Sequence, residues 1–446
     1  MFEGGFHLSF YALCVVLLWF AARGLLGGTK VFAYPTLAAM MGLAWVVPQG
    51  IELEQNPANL YGSETFWLYV TACFLFIAFG FRAGYSAQRR RTAGERDRSV
   101  PSFNNNRLII AAAGLTALGL LSVFQILTSD TSLMGAQWTG VITLWALLAK
   151  ASGFGLCLAV LVFARTGSRL ALVIAAVAAI PVAQSAFLSI RRESLFDLAI
   201  LSVGAWYLAR RSYPPRVFVV AGLLIGTVVL NTAGDIRERL LVGEESFAAV
   251  LSSQETYQNF DYTSIGQKKA SEVGLAQFDA WYVNQTGSWE VGAEHWNSLM
   301  SQYFPAFLFG RELKESLTLS TLASRISKRE EKGASSLGST RTGFSDSYRA
   351  FGFFGVFIFY LISYLFGVLF ARLNTGRIEA QYLYLVLLAE GLKVVTHSTS
   401  EFFAALPFVL ILYWLTFRFA RIQKHPASKA RIFKPSLELS DLAPRP

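Results

Sequence analysis

Apolar runs of about 20 residues recur along most of this 446-residue chain, and each run is long enough to cross a lipid bilayer as a helix. Inside a bilayer no water is available to backbone amides, so every spanning segment must satisfy its own hydrogen bonds. The composition agrees, since 54% of the residues are hydrophobic and only 15% are charged. The sequence therefore predicts an all-α polytopic membrane protein.

The hydropathy pattern predicts about eleven transmembrane helices and one large polar loop that contains interfacial or short helices. This gives an N-terminal bundle of about eight spans (1–233), the large loop (234–350), three C-terminal spans (351–420) and a basic tail (421–446). The predicted spans lie near residues 7–26, 31–48, 64–81, 108–127, 139–164, 170–189, 194–209, 216–233, 351–373, 381–399 and 402–420.

Lysine and arginine residues set the predicted orientation, because cytoplasmic loops are enriched in them. Arg89, Arg90 and Arg91 mark one side, and the other basic loops and the tail fall on that side when eleven spans alternate. The N-terminus and the large loop are then external, and the C-terminus is cytoplasmic. The net charge of +10 belongs to the cytoplasmic face, so no nucleic-acid partner is expected.

Arg191 and Arg192 break this pattern, because they lie between two spans on the side assigned to the exterior. One interpretation is that they pair with Glu193 or Asp197 across a helix turn. The other is an anion site that faces a cavity. We favour the anion site, because two adjacent arginines there act against the topological signal.

The tenth predicted span contains Glu390, Lys393, His397 and Glu401, whose spacing would place all four on one helical face. One interpretation is a structural Glu390–Lys393 pair that locks helices together. The other is catalytic: charged groups at membrane depth usually face the bundle interior or a water-filled cavity. His397 or Glu401 would then be a general base that removes a proton from a sugar hydroxyl, with Lys393 tuning its pKa.

Arg341 and Arg349 lie beside the ninth predicted span, where nearby glycines permit close backbone approach. The planar guanidinium of arginine can hold two phosphate oxygens at once, which suits a pyrophosphate. The mostly apolar segment 299–308 of the large loop is predicted to be an interfacial helix on the bilayer or a lid over the mouth of the bundle.

Several common chemistries lack their sequence motifs. The chain contains no P-loop, HExxH, serine elbow or dinucleotide fingerprint. The three cysteines lie inside predicted spans and indicate neither a disulfide framework nor a metal site. No cofactor and no metal are therefore expected. The acidic pair Glu52 and Glu54 keeps a metal-dependent glycosyltransferase open as an alternative.

A short pattern at the end of the large loop points to a family. Arg341 and Gly352 are separated by ten residues, and the segment 348–355 reads Tyr-Arg-Ala-Phe-Gly-Phe-Phe-Gly. Together with the many spans and the large loop in the second half, this resembles the Wzy-type oligosaccharide repeat-unit polymerases of bacteria, which make O-antigen and exopolysaccharide.

Two further segments also resemble that pattern, namely Arg191-Arg-Glu-Ser and Gly234-Asp-Ile-Arg237. The family is often described with two arginine–glycine segments in different periplasmic loops. Here Arg192 misses that spacing by one residue, since its glycine is Gly204. A two-site arrangement with separate donor and acceptor loops is therefore in doubt for this chain.

The resemblance implies an enzyme of the bacterial inner membrane with a periplasmic N-terminus and a cytoplasmic C-terminus. It would transfer a growing glycan from undecaprenyl pyrophosphate to a newly flipped, lipid-linked repeat unit at the periplasmic face, in O-antigen, capsule or exopolysaccharide synthesis. The implied partners are the undecaprenyl-pyrophosphate-linked oligosaccharide, the lipid bilayer, and a chain-length regulator or polysaccharide export proteins.

That reaction needs fixed positive charge for the departing pyrophosphate and a base for the attacking hydroxyl. The predicted pyrophosphate-binding residues are Arg191, Arg192, Arg237, Arg341 and Arg349. The predicted catalytic residues are, in order of preference, His397, Glu401 and Asp346.

Besides the metal-dependent glycosyltransferase, two further activities are compatible with the sequence. An O-antigen ligase would transfer a finished glycan to a lipid A core with a similar apparatus. A flippase would move the same lipid-linked sugars without joining them, and its charges would line a passage through the membrane midplane.

Overall fold

The computed structural model describes residues 7–55, 63–94, 102–129, 141–187, 192–227, 272–321 and 341–422. Within these ranges the secondary structure is helical, apart from one isolated bridge between Phe103 and Arg421. Eight of the described helices are long and apolar enough to cross a membrane. The prediction of an all-α, multi-pass membrane protein is therefore confirmed.

We number the helices in chain order. The N-terminal ones are α1 (Leu8–Leu26), α2 (Tyr34–Gln55), α3 (Ser63–Gly94), α4 (Asn105–Thr128), α5 (Val141–Thr166), α6 (Arg169–Phe187), α7 (192–209) and α8 (Arg216–Thr227). The C-terminal ones are α9 (Glu272–Thr286), α10 (Ala293–Tyr303), α11 (Ala306–Phe309), α12 (Arg311–Leu317), α13 (Gly343–Phe351), α14 (Val356–Leu373), α15 (Ile378–Thr396) and α16 (Thr399–Ala420).

Helices α3 and α14 pack along their length because small residues let the two backbones touch. A Cβ on Gly80 would lie 2.3 Å from the carbonyl oxygen of Tyr360, and one on Gly84 would lie 2.1 Å from that of Tyr364. Gly367 of α14 approaches the backbone of α3 equally closely. In lipid no hydrophobic force drives helices together, so such a small-residue seam supplies the contact instead.

Contacts along this pair show that α3 and α14 run parallel. Tyr69, near the start of α3, bonds Ser347 just before α14, whereas Gly84 lies beside Tyr364 further along both helices. An odd number of membrane crossings must therefore separate the two helices. We call the end of the bundle at which they start the site end. The opposite end, where Arg89, Arg90 and Arg91 lie near the end of α3, is the basic end.

Helix α15 is the centre of the bundle, since each of its residues except Leu383 is buried. It begins at the basic end, where Gln381 accepts a hydrogen bond from Arg165 at 2.6 Å. It finishes at the site end, where the carbonyl of Val394 lies against Gly343. It thus crosses the whole bundle, although its charged residues keep it outside the eight apolar spans.

Charged side chains of α15 are paired inside the bundle. The Nζ atom of Lys393 lies 3.1 Å from a carboxylate oxygen of Asp197, 3.7 Å from one of Glu193 and 3.5 Å from one of Glu390. Glu390 in turn accepts from Lys150 at 3.2 Å. These ion pairs join α5, α7 and α15, as the structural interpretation of the Glu390–Lys393 pair expected.

The last part of the predicted large loop differs from expectation. The sequence placed residues up to 350 in the loop, but helix α13 begins at Gly343 and continues through a 3-10 turn, Gly352–Gly355, into α14. Gly352 has a φ of +56°, which favours glycine at the turn. Residues 343–350 read as loop because they are polar, yet all of them are buried.

Candidate functional site

Helix α13 is a polar helix that neighbouring elements enclose at the site end. Its serine and tyrosine side chains reach different neighbours: Ser347 bonds Tyr69 of α3 at 2.8 Å, and Tyr348 donates to Asn284 of α9 at 2.7 Å. Buried polar groups are tolerated only when they are paired. The helix therefore joins the membrane bundle to the helices of the large loop.

Arg349 lies at the centre of a cluster of charges. Its side chain is fully buried, and its Nη2 atom donates to Glu294 and, at 3.1 and 3.2 Å, to both carboxylate oxygens of Glu290. Its Nη1 atom lies 3.6 Å from Asp279, which also accepts from Arg341 at 3.1 Å. We call Asp279, Glu290, Glu294, Arg341 and Arg349 the arginine–carboxylate cluster.

The two predicted pyrophosphate ligands in this cluster have different environments. Arg349 has no exposed surface and is surrounded by three carboxylates, so in this conformation it holds the cluster together and cannot reach a ligand. Arg341 keeps 32% of its side chain exposed and has one bonded carboxylate, that of Asp279. Only Arg341 of the two is placed to contact an anion from outside.

Asp346 is fully buried beside the cluster and anchors the start of α16. One of its oxygens, Oδ2, accepts from the hydroxyls of Ser398 at 2.5 Å and Thr399 at 2.9 Å, and from the backbone N–H of Ser400 at 3.0 Å. A carboxylate at a helix N-terminus is stabilised by the helix dipole. The other oxygen, Oδ1, has no hydrogen-bond partner.

His295 of α10 connects to Asp346 through Thr399. The Nε2 atom of His295 lies 2.9 Å from the hydroxyl oxygen of Thr399, and that hydroxyl donates to Asp346. Since the threonine proton is directed to the carboxylate, the imidazole must supply the proton between them and is protonated on Nε2. The Nδ1 atom is then a lone-pair acceptor, and it is buried with no hydrogen-bond partner.

The environment of His295 favours the neutral imidazole. Burial lowers the pKa of His295, while the carboxylates of Glu294 and Glu290 oppose that shift. Burial also raises the pKa of Glu294, against the influence of Arg349. A neutral imidazole with a free lone pair can accept a proton, so His295 has the chemistry of a general base.

The predicted bases His397 and Glu401 do not share a helical face with Glu390 and Lys393, contrary to expectation. Helix α15 ends at Thr396 because the backbone becomes extended at His397, and Glu401 belongs to the next helix, α16, where it is exposed. The Nδ1 atom of His397 lies 2.8 Å from the hydroxyl of Thr396. Asp346, the third predicted base, accepts a hydrogen bond from Thr399 and so belongs to the same site as His295.

The side chains of three predicted pyrophosphate ligands lie outside the part of the chain that the structure describes. Arg191 and Arg237 lie outside the described residues. Arg192 is the first residue of α7, but its side chain lies outside the description as well. The expectation of an anion site at Arg191 and Arg192 therefore stays a prediction.

Of the acidic pair Glu52 and Glu54, which lies in the last turns of α2, Glu54 is bonded within the protein. The side chain of Glu54 accepts from the indole N–H of Trp67 at 2.7 Å and lies 2.8 Å from the imidazole of His7. Among the described residues, no three side chains of the types that ligate metals are grouped as a metal ion would require.

Sequence reasoning missed His295 and the three carboxylates of the arginine–carboxylate cluster. They lie in a polar loop, where isolated charges normally need no explanation. The one available signal was the density of acidic residues between Asp279 and Glu294 in a segment that also contains tryptophans. No family model, curated protein or solved structure matches the chain.

Proposed function

We propose that this protein is a membrane glycosyltransferase that polymerises lipid-linked oligosaccharide repeat units. It takes the growing glycan from undecaprenyl pyrophosphate and joins it to a hydroxyl of the next repeat unit. The observation that carries the proposal is His295, a buried proton acceptor whose Nδ1 has no hydrogen-bond partner, beside the arginine–carboxylate cluster at one end of a membrane bundle. Such a site is within reach of a headgroup whose lipid tail stays in the bilayer.

The proposal includes eleven spans, a periplasmic site end and a cytoplasmic basic end. The parallel run of α3 and α14 supports it, because eleven spans place five crossings between these helices, an odd number. The arginines at the ends of α3, α5 and α14 support the orientation, since cytoplasmic ends of spans are enriched in basic residues.

The proposed reaction is a direct displacement. Nδ1 of His295 is buried in this conformation, so the proposed reaction requires that substrate binding uncovers it. The acceptor hydroxyl then attacks the anomeric carbon of the donor glycan, its proton passes to Nδ1 of His295, and the bond from that carbon to the pyrophosphate oxygen breaks. The electron pair leaves with the pyrophosphate. Thr399 and Asp346 are positioning residues, because they fix the tautomer and the orientation of the imidazole.

Arg341 is the proposed contact for the departing pyrophosphate, since its guanidinium is partly exposed beside the buried centre. Fixed positive charge aimed at the leaving group stabilises the charge that develops in the transition state. Arg349 instead holds Glu290 and Glu294 around His295, so its contribution to the reaction is indirect.

Reconstitution with lipid-linked repeat units tests the proposed function. Purified protein in liposomes should lengthen the glycan, and His295→Gln should lower the rate by about 10²- to 10⁴-fold, the range typical of general-base removal. Arg341→Ala should also slow lengthening, whereas Glu64→Gln, at an exposed carboxylate in the first turn of α3, serves as the matched control. Translocation without lengthening would indicate a flippase, and transfer only to a lipid A core would indicate a ligase.

A further inference from the structure

Helix α10 runs down the side of α16 from the site end toward the basic end. At its top, His295 contacts Thr399, the first residue of α16. At its bottom, the hydroxyl of Tyr303 donates to the carbonyl of Ala404 at 2.7 Å and accepts from the N–H of Phe408 at 3.1 Å. Five to nine helical residues at 1.5 Å each place Tyr303 about 8 to 13 Å below the start of α16.

The contact at Tyr303 is built into the α16 helix. In a regular helix the N–H of Phe408 would bond the carbonyl of Ala404. Here the Tyr303 hydroxyl bonds both groups, next to Pro407, whose missing N–H weakens the helix at this point. The lower end of α10 is thereby held at a defined depth.

After Tyr303 the chain turns back toward the site end of the bundle. The indole N–H of Trp296 donates to the carbonyl of Leu317 at 2.8 Å, and the side chain of Asn297 exchanges two hydrogen bonds with the backbone of Leu319. Residues 317–319 therefore lie beside the upper part of α10. The segment 293–319 is a hairpin that descends in α10, turns at 304–310 and climbs in α12.

The turn of this hairpin presents apolar side chains outward. Phe307, Leu308 and Phe309 are 42%, 65% and 47% exposed. The face of α16 that binds Tyr303 continues below it as Ile411 and Leu415, which are about half exposed on a span apolar enough for the bilayer. The exposed turn is thus continuous with a surface that lipid would cover.

We propose that the segment 293–319 is a re-entrant hairpin whose turn enters the bilayer leaflet at the site end, so that Phe307, Leu308 and Phe309 contact lipid acyl chains. The backbone of the turn suits that location, because the N–H groups of Leu308, Phe309 and Gly310 are bonded within the turn itself. The charged residues of α12 follow directly and would reach the headgroup layer. This inference does not depend on the proposed function.

Spin-label accessibility tests the hairpin. The variants Leu308→Cys, Ile411→Cys and Ser316→Cys would each be made in full-length protein that carries Cys14→Ala, because the other two cysteines are buried. After nitroxide labelling in liposomes, relaxation by apolar oxygen is compared with relaxation by a water-soluble nickel chelate. We expect oxygen to dominate at Leu308, as at Ile411 in the span, and nickel to dominate at Ser316 on the exposed side of α12.

Two results would overturn the inference. Nickel-dominated relaxation at Leu308, similar to that at Ser316, would place the turn in water. Spin–spin broadening at Leu308 that grows with protein density would show that a second copy of the chain covers the turn in place of lipid. Gel filtration of each labelled variant shows that the result comes from folded protein.

Discussion

At the scale of single residues, the hydrogen bonds from His295 to Thr399 and from Thr399 to Asp346 can be made with only one arrangement of protons. Asp346 can only accept while it is ionised, so the threonine hydroxyl donates to it and in turn accepts from the imidazole. A buried acceptor without a partner costs free energy, and His295 Nδ1 is such an atom. An unpaired acceptor of this kind is expected where a substrate proton is to be bound.

The lowered pKa of His295 predicts a pH-dependent contribution to stability. In the unfolded chain the imidazole takes up its proton near its ordinary pKa of 6.5, whereas in the folded protein burial resists that protonation. The unfolded state then binds more protons, so the folded protein loses stability as the pH falls below about 6.5.

Thermal unfolding in detergent, followed by tryptophan fluorescence, measures this effect. Between pH 7.5 and pH 5.5 the wild type should lose more stability than His295→Gln. Glu294, whose raised pKa acts in the opposite direction, is present in both proteins, so the difference between them reports chiefly on the imidazole. Equal losses of stability in the two proteins would contradict the claim that His295 is buried and neutral in the folded protein.

The residues of the bundle interior show what sequence spacing can and cannot predict. Glu390 and Lys393 are three residues apart on one helix, so their pairing followed from the sequence. Asp197, Glu193 and Lys150 belong to other helices, and only the packing of α5 and α7 against α15 brings them together. The same limit hid His295, whose partner Thr399 is far away in the chain.

At the scale of elements, the close packing of α3 against α14 depends on glycines, which have no side chain to separate the two backbones. Gly84→Ala would place a methyl group 2.1 Å from the carbonyl oxygen of Tyr364, so the helices must separate. Overpacking of this kind costs about 1 to 3 kcal/mol. We expect a lower unfolding temperature for Gly84→Ala, measured in detergent.

Gly114→Ala is the matched control for this substitution. Gly114 lies inside α4 with no atom near the position of its Cβ, so the added methyl group meets open space. Alanine favours a helix over glycine by about 1 kcal/mol, and the control should be as stable as the wild type or slightly more stable. A control that is destabilised as much as Gly84→Ala would show that the seam is not the cause.

Hydropathy located the long helices well and failed for α13. Most predicted spans overlap helices with shifted ends, because apolar runs and lipid-compatible helices have the same cause. Residues 343–350 are polar and looked like loop, yet they are buried by partners from α3, α9 and α16. Such pairing between distant segments leaves no periodic signal in a single sequence.

At the scale of the whole molecule, the two ends of the bundle differ in charge and in the number of buried polar residues. The basic end carries the arginines at the ends of α3, α5 and α14, and the site end carries the buried polar residues of α13. The proposed orientation puts the site end in the periplasm.

Cysteine labelling of intact cells tests that orientation. Ser316→Cys, at the site end, should react with a membrane-impermeant maleimide from outside. Thr375→Cys, in the exposed turn between α14 and α15 at the basic end, should react only after the membrane is permeabilised. Labelling of both positions from outside would contradict the proposed topology.

The seam of α3 and α14 also bears on how the protein is made. The ribosome delivers α3 to the membrane early, whereas its partner α14 emerges only after the N-terminal spans and the whole polar loop. Until then no helix packs against the surface of α3 at Gly80 and Gly84, and Tyr69 lacks its hydrogen-bond partner Ser347. The bundle is therefore completed late in biogenesis, when α14, α15 and α16 pack against the N-terminal helices that were inserted earlier.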